Sequence, residues 1–282
     1  MTLLDLATRR LKAAGSSSPR LDAELLLQHV TGWSREQLLA HPDRPASSAQ
    51  QRAFEALVDR RARAEPIAYL LGQREFYGRL FKTDRRALIP RPETELLVDI
   101  GREVVLRCRA QEREPRVVEV GTGSGAVAIS LAAETGTVVV ATELSWPALS
   151  LARENAHRLG QASRVRFVQS DLLAGVAAPL DIVLANLPYV PSGRSLPRDI
   201  ADYEPGVAVF AGPMGIELLE RLLQQARPFL APGGQLALEL DERAQADQLA
   251  ALARRLYPDA EVTVRPDAGG YDRALQVKLP AA

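Results

Sequence analysis

Four short stretches carry residue types that can do chemistry together. The run EVGTGSG at 119–125 sets Gly121, Gly123 and Gly125 at alternate positions, with Thr122 and Ser124 between them. Glycines at such spacing let backbone pass close to a ligand. Glu143 stands 22 residues beyond Gly121. An acid at about that distance, at the tip of the next strand, can accept hydrogen bonds from ribose hydroxyls. Asp171 offers an acceptor for an adenine amino group, and Leu172 beside it an apolar cover for a ring. Finally NLPY, Asn186 to Tyr189, joins an amide that has one acceptor and two donor hydrogens to a stiff Pro188 and an aromatic face. Taken singly, each stretch also reads as ordinary structure: a tight turn, a helix-capping carboxylate, a loop aspartate, an Asn-Pro turn.

Other chemistries are poorly supplied. Cys108 is the single cysteine, so no disulfide can form within the chain, and a reducing compartment is expected. The three histidines, His29, His41 and His157, are scattered and make no zinc-type spacing with one cysteine; no metal is expected. No G-x-S-x-G elbow supports a serine nucleophile.

The elements that must hold these residues follow from periodicity. Residues 2–14, 19–32, a short stretch after Ser34 that Pro42 stops, and about 47–64 read as helices, a small bundle without a catalytic cluster. REFYGRLFKTD reads as a β-hairpin turning at Gly78, and Pro90 and Pro92 keep the chain extended before a helix starting near Glu93. From 116 onward strands and helices alternate. Strands are expected at 116–120, 137–142, 164–169, 181–185, 234–240, 260–265 and 273–279, and helices from about 125, at 146–160, 215–230 and 242–256. That alternation implies parallel βαβ units and an open α/β sheet. Each chemical stretch then falls just past the carboxyl end of one of four consecutive strands, the rim where such sheets bind ligands. The G-x-G-x-G spacing lacks the late third glycine of pyrophosphate binders, and S-adenosylmethionine carries no phosphate; with a ribose-binding acid and an Asn-x-Pro-aromatic slot, the methyl donor is favoured.

Composition sets outer bounds. A chain of 282 residues favours two domains. Lys plus Arg equals Asp plus Glu at 35 each, and a formal charge of zero argues against a broad nucleic-acid footprint. No run of about 18 apolar residues is present to span a membrane. The opening MTLLDLATRRLKAAG has arginines in its first apolar stretch, unlike a secretory signal, so a cytoplasmic location is expected.

The sequence resembles the release factor glutamine methyltransferases (PrmC, also called HemK) among the class I methyltransferases. The likeness runs through SPRLDAELLLQHVTG, EPIAYLLGQREFYG, LIPRPETELLV, EVGTGSGAVAISLA, ELSWPALSLARENA, QSDLL, NLPYV, YEP, LAPGGQLALEL and GGYDRAL. It implies a Rossmann-like sheet, mostly parallel with an antiparallel last strand, behind a small N-terminal helical bundle and a β-hairpin linker. The domains would be 1–70 for substrate docking, 71–92 for the linker and 93–282 for S-adenosylmethionine binding. Gly121, Thr122, Gly123, Ser124, Gly125, Glu143, Asp171, Leu172 and Asn186 would hold the donor, which leaves as S-adenosylhomocysteine. The implied substrate is the glutamine of the Gly-Gly-Gln motif of peptide chain release factors, methylated on its side-chain nitrogen. The Asn186 side-chain carbonyl and the Leu187 backbone carbonyl would accept its N–H groups, Pro188 would stiffen the slot, and Tyr189 would cover the amide plane. A glutamine of a ribosomal protein, or adenine in DNA or rRNA, is the alternative substrate; a monomer without membrane or nucleic-acid partners is expected. The chain departs from the family pattern at Leu187, where proline is expected, at Glu119 and Glu143, where Asp is common, and at Tyr271, where Arg is expected. Arg79, Arg85, Arg86 and Arg91 near the linker would either meet an acidic partner surface or lie solvated.

Overall fold

The computed structural model describes the chain apart from Met1, Pro42, Asp241, Glu242, Ala268 and Ala282, and apart from the side chains of Arg243 and Ala244. The helix stop expected at Pro42 and the helix start expected at residue 242 lie outside the described residues. Two compact units emerge, one of Met1–Arg74 with Ser195–Glu204, the other of Glu75–Arg194 with Pro205–Ala282.

The first unit is helical: α1 (Leu3–Ala13), α2 (Pro19–Thr31), α3 (Arg35–Ala40), α4 (Ser48–Ala62) and α5 (Ile67–Leu71), joined later in the chain by the single turn α9 (Arg198–Ala201). Three of these helices start with reciprocal capping boxes, Thr2 with Asp5, Ser34 with Gln37 and Ser47 with Gln50, which satisfy backbone donors that a helix start leaves open. Proline opens α2, where its missing N–H costs nothing. Leu4, Leu11, Leu26, Phe54 and Val58 form the core. The buried Asp22 accepts from Ser16, Ser18 and Arg61, so its charge is fully partnered. α5 was not expected from the sequence; five residues are too few to show a helical period.

A hairpin of β1 (Gln73–Phe76) and β2 (Arg79–Lys82) follows, and the boundary between the units falls within β1. Tyr77 and Gly78 form its two-residue turn, both at positive φ, the pattern whose twist suits a tight hairpin. Tyr77 is not a residue that prefers this region, and α6 (Glu95–Ala110) holds it there. Its N–H donates to Glu95 Oε1 at 2.8 Å and its hydroxyl to Asp99 at 2.7 Å.

The seven-stranded sheet runs in the order β5 (Val165–Gln169), β4 (Val139–Glu143), β3 (Val117–Val120), β6 (Leu180–Ala185), β7 (Leu230–Glu239), β9 (Asp272–Lys278), β8 (Glu261–Pro266). All pairings from β5 to β7 are parallel; β9 runs antiparallel to both neighbours. The central strands β3 and β6 are buried on both faces, which explains their unbroken apolar runs. Val117, Ile182, Leu184 and Ala237 face α6 and α7 (Ala126–Thr135). Val118, Val183, Leu236 and Leu238 face α10 (Glu217–Ala226) and α11 (Arg243–Leu256). The helix expected through residue 230 ends at Ala226 in a 3-10 turn, Arg227–Phe229, because Pro228 cannot donate to the helical ladder. Chain order reverses between β3 and β6, so a crevice opens past their carboxyl ends. Among the described residues no helix is long and apolar enough to cross a membrane.

Candidate active site

At that crevice lies a cleft of about 1040 Å³ including its open mouth. Gly121, Thr122, Gly123, Ser124, Glu143, Asp171, Leu172, Asn186, Leu187 and Pro188 all stand on its wall. Gly125 and Tyr189 do not.

The glycine loop is held from below by Glu119. This buried carboxyl group accepts from the Thr122 hydroxyl and from the Ala128 N–H at 2.9 Å. Gly125 at the start of α7 has no side chain to cap it, so Glu119 supplies the cap from the preceding strand. Burial pushes the Glu119 carboxyl up to about 8, against the pull of those two hydrogen bonds. Gly121 and Thr122 both donate to the Thr142 carbonyl, pinning the loop to β4. Gly123, at φ +55°, faces open space: a Cβ there would meet nothing within 4 Å. Bare backbone is therefore presented to the cleft, as a closely approaching ligand requires. Gly125 has a packing role. A Cβ on it would lie 2.7 Å from Ile129 Cδ1 and 3.2 Å from Ala152 Cβ, on α8 (Trp146–Arg158).

Glu143 ties two edges together. It accepts from Gly123 N at 2.9 Å and from Ser145 N at 2.8 Å. A carboxylate has about four acceptor positions, so capacity remains for hydroxyl donors from a ligand. Capping of α8 falls to Ser145, whose hydroxyl accepts from Ala148 N. Asp171 is half exposed and paired with Arg221 at 2.7 Å. Such a surface pair contributes little and yields readily to a competing donor. Leu172 is buried at φ +52°, an uncommon conformation for a non-glycine residue, and lines the cleft beside it.

Past β6, Asn186 Nδ2 donates to Thr94 Oγ1 at 3.0 Å. Leu187, where proline is expected, is buried and packs over Gly121: a Cβ on Gly121 would sit 2.6 Å from Leu187 Cδ2. Tyr189 is half buried against the core beneath α10 and α11, and its carbonyl accepts from Gln245 at 2.9 Å. Tyr271 is 70% exposed in the β8–β9 turn, which Asp267 closes by accepting from Gly269 and Tyr271 N–H groups.

Two walls were not expected from the local sequence. Residues 86–91 with Thr94 form one, and Pro205, Val207, Ala208 and Leu218 another. The stretch read as a linker thus shapes the cleft. The LIPRPET and YEP blocks of the family resemblance carried that signal, although nothing in their local chemistry did. Of the linker arginines, Arg79 pairs with Glu134, and Arg86 with Asp84 and Glu154, each at 2.7 Å. Both are paired within the unit, part buried rather than freely solvated. Arg91 lines the cleft.

Comparison with known proteins agrees with this architecture. Residues 2–72 match the family model described as PrmC N-terminal domain, and residues 95–201 the model described as methyltransferase small domain. A release factor glutamine methyltransferase of Deinococcus radiodurans is 42% identical over 279 residues, 98% of this chain and 97% of its own length. One from Rhodopirellula baltica is 36% identical over 283 residues, covering 99% and 95%. Among solved structures, a methyltransferase from Pyrococcus furiosus superposes with a TM-score of 0.50 at 23% identity, covering 79% of this chain and 98% of its own, a likeness of fold. On the near full-length identity to these relatives, the chain belongs to the release factor glutamine methyltransferase family.

Proposed function

We propose that the chain methylates the side-chain nitrogen of the glutamine in the Gly-Gly-Gln motif of peptide chain release factors, with S-adenosylmethionine as donor. The observation that carries this reading is the Asn186 amide on the wall of the same cleft as the glycine loop. Near full-length relatives named for this activity support it. The donor fits the residues present. Gly123 leaves backbone bare toward the cleft, Glu143 retains acceptor capacity for ribose hydroxyls, and Asp171 and Leu172 on the same wall offer an acceptor and an apolar cover for an adenine.

The donor supplies a methyl already activated by its sulfonium charge. An amide nitrogen is a poor nucleophile because its lone pair is delocalised, so the chain's task is orientation, worth up to about 7–11 kcal/mol in favourable cases. The Asn186 Oδ1 and the Leu187 carbonyl accept the two amide hydrogens and turn the nitrogen toward the methyl. As the N–C bond forms and the C–S bond breaks, positive charge passes to nitrogen, and the amide proton leaves to water. Pro188 stiffens the slot. The helical unit, whose residues 2–72 match the PrmC N-terminal domain, would dock the body of the release factor in the compartment where translation ends.

Replacing Asn186 with Ala tests the assignment. The expected result is a turnover lower by about 100-fold or more, the cost of losing orientation at a reacting atom. Near-normal turnover in Asn186→Ala overturns it.

A further inference from the structure

We infer that Thr94 is the positioning residue that fixes which end of the Asn186 amide faces the substrate. The inference rests on the function proposed above.

A side-chain amide is ambiguous by nature. Its oxygen accepts and its nitrogen donates, and rotation by half a turn exchanges them at little cost. An asparagine that must accept hydrogens from a nucleophilic amide is useful in only one of these orientations. Something must therefore engage its nitrogen elsewhere. In this chain Asn186 Nδ2 donates to Thr94 Oγ1 at 3.0 Å, across 92 residues of sequence. An amide held by its nitrogen on one side presents its oxygen on the other.

Thr94 is suited to that work and to little else. It stands at the first position before α6, where a threonine hydroxyl ordinarily caps its own helix. No side-chain cap is made. The hydroxyl is turned instead toward the slot asparagine. Thr94 is 5% exposed and ends the 3-10 turn Pro92–Thr94, with its N–H donating to the Arg91 carbonyl at 3.1 Å. Two prolines, Pro90 and Pro92, restrict the approach. A buried hydroxyl on a restrained backbone holds its partner more tightly than one on a free loop would. Both Thr94 and Asn186 lie on the cleft wall, so the contact is made at the place where orientation matters.

The test compares Thr94→Val, which keeps shape and loses the hydroxyl, with Thr94→Ser, which keeps the hydroxyl. Three readouts are taken: methyl transfer to purified release factor, S-adenosylmethionine affinity by calorimetry, and exchange of the Asn186 side-chain amide hydrogens, assigned by their loss in Asn186→Ala. Thr94→Val is expected to lower kcat by roughly tenfold or more, short of the ~100-fold that a displacement of about 1 Å costs. Donor affinity stays within about twofold, Thr94→Ser recovers most of the rate, and Thr94→Val adds nothing in an Asn186→Ala background. The amide hydrogens exchange slowly in the parent chain and Thr94→Ser and fast in Thr94→Val. Unchanged kcat and exchange in a folded Thr94→Val overturn the inference, as does an equal loss in Thr94→Ser. If the parent chain leaves the release factor unmethylated, the proposed function fails, and the exchange comparison still decides whether Thr94 orients Asn186.

Discussion

Below about pH 4.5 the Glu119 carboxyl holds its proton in the folded and the unfolded chain alike; from there to about 8 only the folded chain keeps it. The folded state thus binds more protons across that window, and stability falls as pH rises through it, levelling off above about 8. Glu119→Gln keeps an oxygen for Thr122 and Ala128 and removes the titration. Denaturant unfolding should show the variant gaining on the parent chain steadily from about pH 4.5 to 8. A pH-independent difference would show that burial does not hold Glu119 protonated. Leu187 and Gly121 make a second residue-scale pair. Leu187→Ala should cost about 2–5 kcal/mol, the usual range for truncating a buried leucine. Gly121→Ala should be destabilising too, since its Cβ would meet Leu187 Cδ2 at 2.6 Å and its φ is +72°. The double variant should lose less than the sum by about 0.5–3 kcal/mol, because removing the leucine end relieves the clash and leaves only the backbone strain. Additive losses in thermal unfolding would contradict the contact.

At the scale of elements, the cleft depends on how the hairpin, the glycine loop and α8 are fastened together. Asn155 on α8 does this with one buried side chain. It accepts from Lys82 N at 2.8 Å and donates to the Lys82 and Ser124 carbonyls at 3.1 and 3.0 Å. Asn155→Leu should be destabilising by about 1–3 kcal/mol for each of these groups left buried without a partner. It should also weaken donor binding, because Ser124 belongs to the glycine loop; a variant with the parent melting temperature and donor affinity would refute the brace. The sheet itself was legible because strands buried on both faces read as apolar runs at βαβ spacing. The glycine loop was legible because its backbone needs are written in residue type. Thr94 was not: a threonine before a helix reads as a cap, and only the fold brings it to Asn186. Tyr189 was legible only in part, since an aromatic after Asn-x-Pro suggests a stacking face and the tertiary structure also packs it against the core.

The whole molecule couples an α/β unit carrying the cleft to a helical unit that has its own core and its own family match. Equal numbers of acidic and basic residues give no net positive charge to draw nucleic acid, which favours a protein substrate over adenine in DNA or rRNA. One glutamine of a release factor is expected to receive the methyl group. The direct measurement is transfer of labelled methyl from S-adenosylmethionine to purified, unmethylated release factor. The same factor with its Gly-Gly-Gln glutamine changed to alanine, a ribosomal-protein mixture, and DNA with rRNA serve as the alternatives. Label on the release factor that disappears with the alanine change is the predicted result. Label that persists on the alanine form, or that goes to ribosomal protein or nucleic acid while the release factor stays unlabelled, would contradict the account.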